Sequence, residues 1–208
     1  MTQKVSGAVL AGGQSRRMGS DKAALLIQGE PLLRRVASLV HAVTPDVAII
    51  GPPERAALVP DVPIIPDGWP HQGPLGGIAT ALQAFAGNAV LVVGCDMPFL
   101  NPALLRYLIT QAPTYDAVVV RADGEAHPLH AVYQQSCLPI IEAQLLAGDL
   151  KVQRFLARLK VRFVEGFELD RLDPGRLSTF NANTPEEWHK VQRLLSELPG
   201  EADNANSC

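Results

Sequence analysis

Val5-Ser6-Gly7-Ala8-Val9-Leu10 runs directly into Ala11-Gly12-Gly13-Gln14-Ser15-Arg16-Arg17-Met18-Gly19-Ser20-Asp21-Lys22, and the reading of this stretch decides the fold. The apolar run is a buried strand. The paired glycines let the chain turn sharply and bring bare N–H groups close to a ligand, while Arg16, Arg17 and Lys22 can neutralise a polyphosphate. A strand opening into such a loop points to an anion held outside the carboxyl end of a sheet. Two familiar phosphate motifs do not fit. Five on from Gly13 stands Met18, which breaks a G-x-x-x-x-G-K-[ST] frame, and two on from Gly12 stands Gln14, which breaks G-x-G-x-x-G. The bland alternative is a surface turn with solvated cations.

Outward from that loop the chain alternates. Pro31 opens a segment whose Leu32, Leu33, Val36, Leu39, Val40 and Val43 recur at helical spacing. Strands are expected at residues 47–50, 62–65 and 89–93, with a helix from Gly73-Pro74 through Phe85. Asn101-Pro102 caps a further helix, and a strand follows at 117–120. Near-continuous apolar strands separated by helices imply a parallel sheet covered on both faces. Beyond residue 120 the rhythm loosens, with strands expected at 129–133 and 161–164 and helices at 139–146 and 152–159. This half is expected to mix antiparallel strands into the sheet. Thr184-Pro185-Glu186-Glu187 is a capping box that starts a last helix with Trp188, Val191, Leu194, Leu195 and Leu198 as its apolar stripe. Residues 1–198 read as one domain, and 199–208 as a disordered tail.

The chain has 208 residues, enough to bury about 70% of its unfolded surface in one domain. It is 47% hydrophobic and 19% charged, without an apolar run near the ~18 residues of a membrane span and without a signal peptide, so a cytoplasmic protein is expected. A net charge of −3 leaves no footprint for nucleic acid. Cys95, Cys137 and Cys208 lack the spacing of a disulfide framework or a zinc site.

Strand ends then place the residues that can carry chemistry. Asp96, between an apolar strand and Met97-Pro98, falls on the same rim as the glycine loop, where one carboxylate is enough protein for Mg²⁺ shared with substrate phosphates. Asp67, in Pro66-Asp67-Gly68, falls there too, although a plain turn aspartate reads equally well. Gly76 and Gly77 in a helix's first turn cost about 1 kcal/mol each relative to Ala, which calls for close approach of a ligand or tight packing on the sheet. His127 and His130, three apart in an extended segment, would point to opposite faces, which argues against a shared metal. No arrangement for covalent catalysis stands out.

Leu10 to Lys22 resembles the opening signature of nucleotidyltransferases with a glycosyltransferase-A-like fold, L-A-[AG]-G-x-S-x-R-M-G-x-x-K. Its Leu-Ala-Gly-Gly form is similar to that of the molybdenum cofactor guanylyltransferases. The resemblance implies a three-layer α/β/α fold on a mostly parallel, Rossmann-like sheet. It implies transfer of GMP from GTP to the terminal phosphate of molybdopterin, or of its molybdenum-loaded form, with Mg²⁺ as cofactor and pyrophosphate released. The nucleotide would meet Leu10, Ala11, Gly12, Gly13, Lys22, Asp67, Gly76, Gly77 and Asp96. Asp96 and the Asn183 of an N-x-N-T-P motif would approach the metal, Arg17, Lys22 and Asp96 would carry catalysis, and Arg16, His127, Pro128 and Asn181 would face the acceptor. The family asparagine after the second strand is missing, replaced by Gly51-Pro52-Pro53. A monomer is expected, with no nucleic-acid or membrane partner and with molybdoenzymes or other cofactor-assembly proteins as possible recipients. Rival readings are the same chemistry with CTP or with a sugar-phosphate acceptor, and a non-catalytic nucleotide or cofactor carrier.

Overall fold

The computed structural model of the chain describes residues 4–12, 21–87 and 89–197. The expectations for Gly13, Arg16, Arg17 and the tail from residue 199 lie outside the described residues. In chain order the strands are β1 (Val5–Leu10), β2 (Leu26–Ile27), β3 (Glu30–Pro31), β4 (Val47–Ile50), β5 (Ile64–Ile65), β6 (Ala89–Gly94), β7 (Ala117–Ala122), β8 (Glu125–Tyr133) and β9 (Val161–Val164). The helices are α1 (Leu32–His41), α2 (Gly73–Ala84), α3 (Pro102–Gln111), α4 (Leu138–Leu146), α5 (Val152–Leu156), α6 (Gly166–Leu172) and α7 (Pro185–Glu197).

Among the described residues, seven strands form one sheet in the order β5-β4-β1-β6-β8-β7-β9, and β2 and β3 form a separate hairpin. β5, β4, β1 and β6 are parallel, β8 runs antiparallel to both β6 and β7, and β7 pairs in parallel with β9. The mostly parallel sheet with a mixed second half is therefore present, and β8 is its one reversed strand. β4 and β6 bury every residue because both faces of the sheet are covered. One core holds Leu32 and Val36 of α1, Leu104 and Leu108 of α3, Leu169 of α6 and Val191 of α7. The other holds Ile78 and Leu82 of α2, Ile141 and Leu145 of α4, and Phe155 of α5. The sheet between them is the middle of three layers.

β1 lies between β4 and β6, and the chain leaves it first toward one edge and later toward the other. Such a reversal opens a crevice beyond the strands' carboxyl ends, where the glycine loop begins.

Several boundaries differ from the sequence expectation. The strand expected at 62–65 is reduced to Ile64–Ile65, paired with Ile49 and Ile50 and bracketed by Pro63 and Pro66, neither of which has an N–H to give. Pro31 belongs to β3 and precedes α1, in a hairpin that turns through Gln28 (φ 51°) and Gly29 (φ 86°). The helix expected over 152–159 ends at Leu156, where Arg158 and Leu159 switch to i→i−3 bonds before the chain enters β9. The strand expected at 129–133 starts earlier, at Glu125, and contains a bulge: Val119 faces Ala131 while Val120 faces His127. Residues 128–130 have no partner in β7, consistent with the missing N–H of Pro128. α6 was not expected, because only Leu169 along it is buried and no periodic apolar face announces it.

Candidate active site

The carboxyl ends of β1, β4 and β6, the turn after β5 and the first turns of α2 enclose a cleft of about 570 Å³. Its walls include Gly12 and Lys22 from the glycine loop, Asp67, Gly77, Asp96 and Asn183, gathered from segments far apart in sequence. Leu10 lines the cleft as well, while Ala11 is buried behind it. Ala11 N–H donates to Ile50 O and Cys95 N–H donates to Leu10 O, so the loop's entry is stitched to both neighbouring strands. α2 directs its N-terminus, Gly73 and Pro74, at the same space, which favours an anionic ligand.

Lys22 and Asn183 meet directly, Nζ donating to Oδ1 at 2.7 Å. The capping box that starts α7 fixes the asparagine. Glu187 N–H donates to Thr184 Oγ1, and the Glu187 carboxylate accepts from Thr184 N–H at 2.9 Å and Asn183 N–H at 2.6 Å. Ala182 N–H donates to Asp96 O at 3.0 Å, tying the Asn181-Ala182-Asn183 segment to the end of β6. Asn181 precedes this bond but does not line the cleft, and its Oδ1 is buried without a hydrogen-bond partner among the described residues.

Burial raises the Asp96 carboxyl above its ordinary value, with Glu187 adding to the rise, while a backbone hydrogen bond and Lys22 work against it. No arginine or lysine among the described residues forms an ion pair with Asp96. The Asp96 carboxylate and the Asn183 amide oxygen, both lining the cleft, are hard-oxygen donors of the kind that fits Mg²⁺ sharing its remaining positions with water and phosphate. Among the described residues no cluster of three or more His, Cys, Asp or Glu is gathered that could hold a metal. Burial and then the Asp96 charge push the Cys95 thiol up to about 12, against the opposing pull of Arg55 and Lys22. That favours the thiol over the thiolate.

Asp67 is held by one oxygen. Its Oδ1 accepts from Thr80 Oγ1 at 2.8 Å and from Trp69 N–H at 2.9 Å. Oδ2 faces Gly12, where an added Cβ would lie 3.9 Å away. The two helical glycines have different neighbours. A Cβ on Gly76 would stand 2.5 Å from Trp69 O, and one on Gly77 would stand 2.7 Å from Leu10 Cδ1. Close packing thus accounts for Gly76, which does not line the cleft, while Gly77 both lines it and supports Leu10.

His127 and Pro128 sit half-buried on β8 and do not line the cleft, but the bulge turns Leu129 into it. Burial lowers the His127 pKa, with the charges of Glu125 and Asp123 working against it. The sequence reading missed Arg55 and His71, both of which line the cleft. Arg55 belongs to the short 3₁₀ turn Pro53–Leu58 that follows the segment lacking the family asparagine. His71 has φ 66°, a strained loop geometry unusual for a non-glycine residue. The turn-rich sequence around each gave no periodic signal by which to place it.

An α/β sheet whose strand ends gather the start of a glycine loop, a lysine and two aspartates in one cleft is the architecture of a nucleotidyltransferase. Residues 7–163 match the family model of the MobA-like NTP transferase domain. A relative in Pelotomaculum thermopropionicum, a probable molybdenum cofactor guanylyltransferase, is 39% identical over 93% of this chain and 94% of its own. The molybdenum cofactor guanylyltransferase of Desulfosudis oleivorans is 32% identical over 92% and 96% respectively. The crystal structure of molybdopterin-guanine dinucleotide biosynthesis protein A from Archaeoglobus fulgidus superimposes with a TM-score of 0.81, at 28% identity, over 93% of this chain and all of that one. The chain belongs to the molybdenum cofactor guanylyltransferase family of MobA-like nucleotidyltransferases.

Proposed function

We propose that this chain joins GMP from GTP to the terminal phosphate of molybdopterin, releasing pyrophosphate and giving the guanine dinucleotide form of the cofactor. The observation that carries the reading is the cleft itself, with Lys22 and Asn183 in contact beside a desolvated Asp96 at the end of β6. The acceptor is already an anion and needs no general base. The protein's task reduces to aligning that phosphate in line with the α-phosphorus and offsetting charge on the triphosphate.

Lys22 supplies a positive charge to the phosphates, and Asn183 holds its ammonium on the cleft side. Asp96 and Asn183 would hold Mg²⁺, which when bound neutralises phosphate charge. Asp67 offers Oδ2 to the nucleoside, and the absent side chain at Gly12 leaves room for a purine edge. Arg17 serves the triphosphate and Arg16 either anion, with the segments of Asn181 and of His127-Pro128, which stand outside the cleft wall, meeting a pterin that extends past Leu129. A monomer acting in the cytoplasm and passing its product to molybdoenzymes completes the reading. Among the described residues no helix is long and apolar enough to cross a membrane.

Binding of GTP, CTP, ATP and UTP in the presence of Mg²⁺ tests it. GTP should bind at least ~10-fold more tightly than CTP. Equal affinities, or a preference for CTP, would move the chain to the rival cytidylyl chemistry.

A further inference from the structure

The cleft wall contains a cation that no part of the sequence reading used. Arg55 has a side chain only 9% exposed, and its Nη2 lies 3.1 Å from Asp21 Oδ1. Its Nε and Nη1 are buried with no hydrogen-bond partner among the described residues. A guanidinium carries five N–H donors and cannot shed its charge, so a buried one with a single carboxylate contact is costly unless something else completes it.

Other arginines of the chain show what completion looks like. Arg162 places Nη2 at 2.8 and 2.7 Å from the two carboxylate oxygens of Glu168 and Nη1 on the Phe163 carbonyl. Arg176 spans Asp170 and Asp123. Arg55 alone among these three faces the cleft, beside Lys22, Cys95 and Asp96. Its one ion-pair partner among the described residues is shared, since Asp21 Oδ1 also accepts from Ala23 N–H at 3.1 Å. Asp21 is 47% exposed, so its carboxylate can regain water if another anion takes its place.

We infer that Arg55 is a phosphate-binding residue of this cleft, its fork completed by substrate phosphate oxygens in competition with Asp21. The inference rests on the nucleotidyl-transfer reading and adds to it a cation delivered from beyond β4, separate from the glycine loop. Two phosphates qualify chemically, the triphosphate tail of the nucleotide and the terminal phosphate of the acceptor.

The test uses the whole chain with Mg²⁺ and inorganic pyrophosphate as the probe, titrated calorimetrically into wild type, Arg55→Gln, Arg55→Lys and Asp21→Asn. If Arg55 binds the triphosphate tail, Arg55→Gln weakens pyrophosphate at least ~10-fold, Arg55→Lys loses less, and Asp21→Asn holds or tightens binding. If it binds the acceptor, pyrophosphate affinity is unchanged in Arg55→Gln while KM for molybdopterin rises by a similar factor. Parallel losses in Arg55→Gln and Asp21→Asn would show a structural ion pair and overturn the inference, as would wild-type behaviour of Arg55→Gln in both assays. Should Arg55→Gln fail to fold, the contrast between Arg55→Lys and Asp21→Asn decides the same question. Pyrophosphate carries no base, so its result stands even if the chain prefers a nucleotide other than GTP.

Discussion

Lys22 Nζ donates to Asn183 Oδ1 at 2.7 Å across 161 positions of the chain. One bond therefore joins the end of the glycine loop to the cap of the last helix. Because the Glu187 carboxylate fixes Asn183 by its backbone, the lysine is oriented by a helix start rather than by a flexible partner. Lys22→Met and Asn183→Ala should each lower kcat/KM for GTP, and the double variant should lose less than the sum, with a coupling of about 0.5–3 kcal/mol. Additivity within about 0.5 kcal/mol would mean that the two side chains act independently.

Asp96 should trade stability for function. Its folded-state pKa is raised above 3.8, so the folded protein without ligand binds this proton more tightly than the unfolded chain does. Stability from this group falls as pH rises through the window between the two values and stays lowered at pH 7. Asp96→Asn mimics the protonated form. It should melt at or above the wild-type temperature while losing most of its turnover. A drop in melting temperature would assign the carboxylate a structural role.

Gly12 and Gly76 should separate ligand contact from packing. Gly12 does not occupy the left-handed region, and among the described residues an added Cβ there would meet only Asp67 Oδ2, at 3.9 Å. Gly12→Ala should leave stability within about 0.5 kcal/mol of wild type yet cut GTP use by ~10- to 200-fold, with CTP affected much less. Gly76→Ala drives a methyl against the Trp69 carbonyl and should destabilise the fold by about 1–3 kcal/mol. Chemical denaturation together with kcat/KM for GTP and CTP checks both. An unchanged GTP/CTP ratio in Gly12→Ala would move base selection elsewhere in the cleft.

His130 should give the protein an acid-sensitive stability. Burial lowers its pKa from 6.5 to about 3, and both ring nitrogens lack a partner among the described residues. The neutral ring is favoured in the fold, so its contribution is present above pH 6.5 and is lost as pH falls from 6.5 toward 3, at about 1.4 kcal/mol per pH unit. Denaturation at pH 7.5 and 5.5 should show this slope in wild type and a shallower one in His130→Leu. The same slope in both proteins would place the acid sensitivity in other groups.

Much of this architecture was legible because it is local. The unbroken apolar runs of β4 and β6, and that of β1 interrupted by Ser6, fix their burial, and Asp96 two residues past the end of β6 falls on the rim by the geometry of a parallel sheet. The capping box at Thr184 and Glu187 forms as its spacing implies. What escaped reading depends on contacts between distant segments. Arg55 gains its meaning from Asp21 and the cleft, not from the Pro-rich turn around it. Leu129 enters the cleft through a bulge whose register is set by β6 and β7. The Gln28-Gly29 hairpin has only two residues in each strand, too few for any periodicity.

The most direct measurement follows guanine-labelled GTP in a reaction with molybdopterin, Mg²⁺ and the purified chain, reading product by mass spectrometry alongside pyrophosphate release. Expected is a labelled molybdopterin guanine dinucleotide formed in equal amount with pyrophosphate, strongly reduced in Asp96→Asn. Tight GTP binding without dinucleotide or pyrophosphate would contradict guanylyl transfer and leave a nucleotide carrier in its place.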